Sequence, residues 1–177
     1  NRVHRRVIVR DYWKPIYKTS SPGRLLAALE GCIKGYESLH ARAGLLQRDI
    51  SPDNLILNKD AKNPTWPSFL IDLDLAVKEQ REESSKARGK TGTRAFMAIG
   101  VPLDDEQHPH ARSRIIFWVL FWICIHYDGI GKDIGTTEFE CWNYEGSEKL
   151  AELKKGLISD GRDFLQTVQS KFTSYYR

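Results

Sequence analysis

The run IIFWVLFWICI, Ile115 to Ile125, constrains the fold of this chain more than any other stretch. It is apolar on every face, so a helix built from it has no side to offer to water. A membrane span needs about 20 such residues, and this run has about half that, with Arg112 and Arg114 before it and His126 after it. A helix of this kind belongs at the centre of a core, with the rest of the chain packed round it. With 177 residues and 41% hydrophobic content there is material for one ordinary globular core. The 28% of charged residues reads as a soluble composition, and a net charge of +4 without a dense basic patch argues against a nucleic-acid binder. The three cysteines, Cys32, Cys124 and Cys141, form no C-x-x-C pair and read as buried free thiols. With no signal peptide visible, an intracellular protein is expected, cytoplasmic or nuclear rather than secreted or bound to a membrane.

Along the chain, Val3 to Arg10 alternates in polarity and predicts a strand. The stretch DYWKPIYKTSSPG breaks that pattern with Pro15, Pro22 and Gly23. Leu25, Leu29, Cys32, Ile33, Tyr36 and Leu39 then recur at helical steps, with Ser21 as N-cap, Pro22 at the first helical position and Gly44 as the stop. NLILN and SFLIDLDLA predict two short strands. KEQREESSKARGK is charged without an apolar face and reads as a mobile, solvated segment, in which Ser84, Ser85 and Thr91 read as plain loop residues. DDEQHPH reads as a surface loop rather than a metal cluster. Amphipathic helices are expected at about Ser147 to Ile158 and about Gly161 to Phe172.

Between the long helix and the first short strand lies LLQRDISPDNLIL, a polar gap between two apolar runs. A turn needs a proline and an asparagine but not the whole set of Arg48, Asp49 and Asn54. Asp72 closes the second strand. An Asp and an Asn in one loop, near a second Asp at a strand end, suit Mg²⁺, which takes one or two carboxylates together with phosphate oxygens. The remaining Asp can accept a proton from a hydroxyl nucleophile. Phosphoryl transfer needs those parts and little covalent chemistry from the protein.

QRDISPDN resembles the protein-kinase catalytic loop H-R-D-x-x-x-x-N, and DLD lies where kinases have D-F-G. The ordered series SLHARAGLLQRDIS, FLIDLDLA, TGTRAFMA and WVLFWIC resembles the fungal-type protein kinase family more closely, and the tail FECWNYEGSEKLAELKKGLIS is similar to it as well. The resemblance implies an α+β fold, mainly α: the C-terminal lobe of a protein-kinase-like domain, with short strands, a buried central helix and the small lobe largely missing. Residues 1–177 are then hinge and C-lobe, with a catalytic loop at 47–54, a metal-binding motif at 72–74 and an activation segment at about 72–100. It implies ATP and Mg²⁺ as cofactors and Ser/Thr of a protein substrate as acceptor. Asp49 matches the catalytic base, Arg48 the loop-tethering arginine, and Thr93 the threonine that bonds the base. Asn54 and Asp72 match the metal ligands on the cofactor side. Ile56 matches the position under the adenine, and Arg10 to Tyr12 the hinge.

The sequence departs from the general kinase pattern in several places. Gln47 stands for the usual His, Asp74 for the Gly of D-F-G, Ser51 for a Lys that touches the transferring phosphate, and Arg112 for an Asp that bonds the catalytic loop. Ala98-Ile99-Gly100 stands where A-P-E is expected, and no Gly-rich loop or V-A-I-K lysine precedes the hinge stretch. Two other readings fit the same residues. One is a catalytically dead kinase-like protein that binds partners, favoured by Gln47 and Arg112. The other is a small-molecule phosphotransferase, disfavoured by Arg48 and TGTRAF.

Overall fold

A computed structural model of the chain describes residues 13–47, 49–58, 67–78, 93–96 and 109–177, with only the backbone at Val77 and at 109–113. The expected strand at Val3 to Arg10, the charged segment after Lys78 and residues 104–108 of the DDEQHPH loop lie outside the described residues, while Pro109 and His110, expected in that loop, open the helix Pro109–His126. What is described is mainly helical, with a small antiparallel sheet, an α+β arrangement.

The long helix α1 runs over Pro22–Ala43. Its start is set by Ser21, whose hydroxyl accepts from the Arg24 amide at 3.2 Å, and by Pro22, which has no amide proton to leave unpaired. It ends at Gly44 in the left-handed conformation (φ 58°), where the Gly44 amide returns to the His40 carbonyl. Both signals were readable from the sequence.

Three strands form one sheet in the order β1-β3-β4: β1 at Trp13–Pro15, β3 at Leu55–Asn58 and β4 at Ser68–Leu70, all antiparallel. A second pair joins β2 (Leu45–Leu46) to β5 (Val77–Lys78). β1 lies in the stretch whose prolines argued against regular structure. Pro15 is tolerated because β1 is an edge strand among the described residues, paired there with β3 alone. The strand in SFLIDLDLA stops at Leu70, and Ile71 to Leu73 are irregular.

α1 lies across β4 at close quarters. The Ser68 hydroxyl, fully buried, donates to the Ala28 carbonyl at 2.6 Å. A Cβ on Gly31 would stand 2.2 Å from that hydroxyl oxygen, so only glycine allows this approach. Cys32 packs one step further along, its thiol 3.7 Å from the Phe69 carbonyl and pushed up to about 11 by burial.

The apolar run lies in helix α2, Pro109–His126. Trp118, Val119, Phe121, Ile123 and Ile125 are all buried, as a core helix requires. Phe117 is the departure, more than a third exposed, at the edge where its ring meets Phe164. No helix among the described residues is long and apolar enough to cross a membrane. A 3-10 turn at Glu138–Asn143 brings Phe139 and Trp142 against Phe121, whose ring is stacked on Trp142 at 5.8 Å. Helices α3 (Ser147–Ile158) and α4 (Gly161–Lys171) close this end, nearly where the periodicity places them. The tail then caps α2: the Thr173 amide donates to the Cys124 carbonyl and its hydroxyl to the Tyr127 carbonyl, at 2.9 and 2.7 Å. Cys32 and Cys124 are buried free thiols, as expected. Cys141 is not, because the 3-10 turn directs Phe139 and Trp142 inward and leaves Cys141 facing out.

Candidate active site

The polar gap is built by the elements on either side of it. α1 ends at Gly44, β2 carries the chain to Gln47, and a 3-10 turn at Pro52–Asn54 leads into β3. Ile50 and Leu55 are buried in the core on either side of this turn, which fixes the backbone between them.

Asp49 is where the hydrogen bonds converge. Its Oδ1 accepts from both the amide and the hydroxyl of Thr93, each at 3.0 Å. Its Oδ2 accepts from the side-chain amide of Asn54 at 3.2 Å, and the same Asn54 nitrogen also donates to the Asp49 carbonyl at 3.0 Å. Three donors from two directions hold one carboxylate, with 44 residues of chain between Asp49 and Thr93. Thr93 is itself placed by the core. It opens the 3-10 turn Arg94–Phe96, and the Phe96 ring meets Trp122 of α2 edge-on at 5.5 Å. The apolar helix therefore positions a donor on the polar loop.

Gln47 ties the second acidic segment to this loop. Its Nε2 lies 3.3 Å from the Asp49 carbonyl, 3.1 Å from that of Ile71 and 2.6 Å from that of Asp72. The Ile71 amide adds a bond to the Asn54 carbonyl at 3.0 Å. Asp72 has φ 58°, a left-handed backbone that costs a residue with a Cβ, though Asp tolerates it better than most. Held by Gln47, it keeps that conformation, and its carboxylate accepts the Asp74 amide at 3.4 Å.

Thus Asp49, Asn54, Thr93 and the backbone of Asp72 come together through Gln47 and two hydrogen-bonded turns. Ile56 lies apart in the sheet, buried, paired with Pro15 and Phe69. Arg48, the stretch Arg10 to Tyr12 and Ala98-Ile99-Gly100 lie outside the described residues, as does the side chain of Arg112. Gln47, a departure from the kinase pattern in the sequence, thus keeps a bonding role in place of the usual His. The usable signal was chemical: an amide is a donor of about the reach of an imidazole. The sequence reading missed Tyr17, whose hydroxyl donates to Asp53 at 3.1 Å and whose ring stacks on Tyr127 at 4.4 Å. Burial and the Asp53 carboxylate push its phenol up to about 12. Asp53 is thereby drawn away from Asp49 as a structural acid.

The fit to a divalent ion rests on oxygen donors. Among the described residues no three or more His, Cys, Asp or Glu side chains cluster as a self-sufficient metal cage. Mg²⁺ held with phosphate oxygens asks the protein for only one or two ligands. Asn54 spends its nitrogen on Asp49, so its oxygen is the end left to a cation.

No curated protein matches the chain. The family model described as fungal protein kinase matches residues 1–124, which takes in β1, α1, the polar loop, both acidic segments and all but the last two residues of α2. The chain belongs to the fungal protein kinase family.

Proposed function

We propose that the chain is the hinge and C-terminal lobe of a protein-kinase-like domain, spanning residues 1–177, that transfers the γ-phosphoryl group of ATP to Ser/Thr hydroxyls of a protein. The observation that supports it most is the Asp49 carboxylate, held on both oxygens by Thr93 and Asn54. A general base must keep its acceptor oxygen in place while a substrate hydroxyl approaches. Asp49 fills that role: its Oδ1 is occupied by two donors, and Oδ2 keeps one lone pair for the incoming proton. Asn54, through its amide oxygen, and Asp72 hold Mg²⁺, which when bound neutralises charge on the phosphate oxygens. Thr93 orients Asp49, and Arg48 tethers the loop. Ile56 lies on the adenine side and Arg10 to Tyr12 form the hinge.

The test is transfer from radiolabelled ATP to a protein acceptor by the gene product containing this chain. Asp49→Asn keeps the shape and loses the base, and kcat falls by about 10²–10⁴-fold with the circular dichroism spectrum unchanged. Full turnover in Asp49→Asn rules out the base assignment. Mg²⁺-dependent nucleotide binding without transfer to any protein acceptor in the unmutated protein supports a partner-binding role instead.

A further inference from the structure

At the other end of β3 from the candidate active site the surface opens into a cavity of about 470 Å³. Its walls come from β1, the first turns of α1 and the end of β3, among them Lys14, Thr19, Ser20, Arg24 and Asn58. Asn58 is four residues beyond Asn54, about 13 Å along a strand, so this cavity is separate from the Asp49 cluster. We propose that it binds a phosphoryl group, as a phosphate monoester carried by a small molecule or a peptide side chain.

Three independent features point to an oxyanion. Among the described lining residues both charged ones, Lys14 and Arg24, are cations, and none is an acid. Neither side chain has an ion-pair or hydrogen-bond partner among the described residues. Two like charges facing one cavity repel each other, and an anion between them reverses the sign. The third feature is Thr19. It is 2% exposed, its amide is satisfied by the Ile16 carbonyl, and its hydroxyl is buried without a partner. A buried hydroxyl left unpaired costs stability, and a phosphate oxygen accepts from it once the wall gives way, because the hydroxyl now lies just beneath the surface. The positive end of the α1 dipole lies at the same rim, because Ser20 and Arg24 flank the N-cap Ser21. Guanidinium and ammonium together suit a doubly charged monoester, Arg by its planar fork and Lys as a point charge. The volume exceeds that of a bare ion, which leaves room for the group that carries the phosphate.

The cavity is held in shape from below. The Ser68–Ala28 bond and the close approach at Gly31 lock α1 to β4 just beneath it, and the Lys14–Leu57 and Trp13–Asn58 pairing sets the opposite wall. Binding here does not draw on the metal ligands, so it persists in a chelator.

The experiment titrates the full chain with inorganic phosphate and with O-phosphoserine in EDTA, against sodium chloride at matched ionic strength, reading Tm and calorimetric affinity. A saturable rise in Tm with phosphate, absent with chloride, is expected. The double variant Lys14→Gln/Arg24→Gln weakens phosphate binding at least about tenfold. Thr19→Val, which removes the hydroxyl at constant shape, weakens it severalfold while the ligand-free Tm holds or rises. Asp72→Asn binds phosphate as the unmutated chain does. Tighter binding of O-phosphoserine than of phosphate shows that the group arrives on a side chain, and equal binding shows that the free ion suffices. Phosphate affinity unchanged in the double variant or in Thr19→Val, or lost in Asp72→Asn, overturns the site.

Discussion

Two ends of this molecule hold themselves together by different means. At the polar loop, Asp49, Asn54, Thr93 and Gln47 are placed by a few directional hydrogen bonds, each with a named partner. At the helical end, Trp118, Phe121, Trp142, Phe139, Phe164 and Phe172 pack as an aromatic cluster in which Phe121 alone touches five other rings within 6.2 Å, Phe117 excepted. The first arrangement is specific, and under the function proposed for it a change there reaches activity before stability. The second is redundant and carries stability. They meet where the 3-10 turn Arg94–Phe96 packs on α2, with Phe96 against Trp122, and on the 3-10 turn Glu138–Asn143, and this packing fixes Thr93 and so the orientation of Asp49. The difference teaches that stability and activity can be damaged separately here, and each prediction below tests that separation.

The largest effect belongs to the cluster. Trp118 is 1% exposed and meets Phe121 and Trp142 edge-on. Trp118→Ala removes those contacts and leaves a cavity, costing about 3–5 kcal/mol, read by urea denaturation of the purified chain. A loss below about 1 kcal/mol breaks the claim that this end carries stability.

Next is a pH effect from the same end. Lys154 is fully buried, with its ammonium 4.8 Å from the Trp118 ring centre and 5.2 Å from that of Trp142. The indole faces favour the charged form, but burial outweighs them and lowers the amine to about 7. Between that value and the ordinary Lys range near 10.5, the unfolded chain holds a proton that the folded one has released. Stability therefore rises with pH from about 7 to about 8.5, by at most about 1.4 kcal/mol per unit, and the cost is fully present below that window; above it the buried thiols of Cys32 and Cys124, pushed up from 9.0 to about 11 and about 12, stay protonated while the unfolded chain loses theirs, and they reverse the slope. His126 adds a second, lower step. Burial lowers its imidazole, so the neutral ring is preferred; Nδ1 donates to the Trp122 carbonyl at 3.0 Å, and Nε2 accepts from Thr137 at 2.8 Å. Acidification below about 6.5 charges the unfolded His first and destabilises the fold further. Lys154→Met flattens the upper step and leaves the lower one. A stability curve that falls from pH 7 to about pH 8.5 in the unmutated chain contradicts this account.

How much of this was legible beforehand follows the same division. The α1 start at Ser21 and Pro22, its stop at Gly44 and the burial of Ile115 to Ile125 were readable because capping and hydropathy act within a few residues or on one stretch. The grouping of Asp49, Asn54 and Thr93 was readable from motif order alone. β1 was not, since its strand exists only by pairing with β3, 40 residues away. The burial of Lys154 was equally hidden: a lysine on an amphipathic helix reads as solvated until two tryptophans from elsewhere close over it. The extent of the bonding by Gln47 was hidden as well, because its partners include carbonyls of residues 71 and 72, which no local pattern reveals.

Gln47→Met tests the polar end for stability. It removes the donor shared by three carbonyls and frees Asp72 from its φ of 58°. The loss is about 1–3 kcal/mol, offset in part because Gln47 Oε1 is buried without a partner and disappears with it. Amide hydrogen exchange at Ile71 and Leu73 quickens more than in α2. Equal quickening in α2 removes the distinction between the two ends.

The smallest effect sharpens the comparison most. Thr93→Val deletes one of the two donors on Asp49 Oδ1 and keeps the other, because the backbone amide remains at 3.0 Å. The side-chain volume hardly changes, and Ala95 and Phe96 stay buried against α2 to hold the turn. Global stability therefore moves by no more than about 1 kcal/mol. The carboxylate, though, loses part of what fixes its rotation, and a base that swings spends less time aligned with its acceptor. In the active protein kcat falls by about threefold to tenfold, the equivalent of one neutral hydrogen bond, with KM for ATP unchanged because the metal side is untouched. Thr93→Ser restores the hydroxyl and most of the rate. If Thr93→Val instead lowers Tm as far as Trp118→Ala does, the threonine belongs to the core and the two ends are one. If Thr93→Ser fails to restore turnover, the hydroxyl is not what orients Asp49.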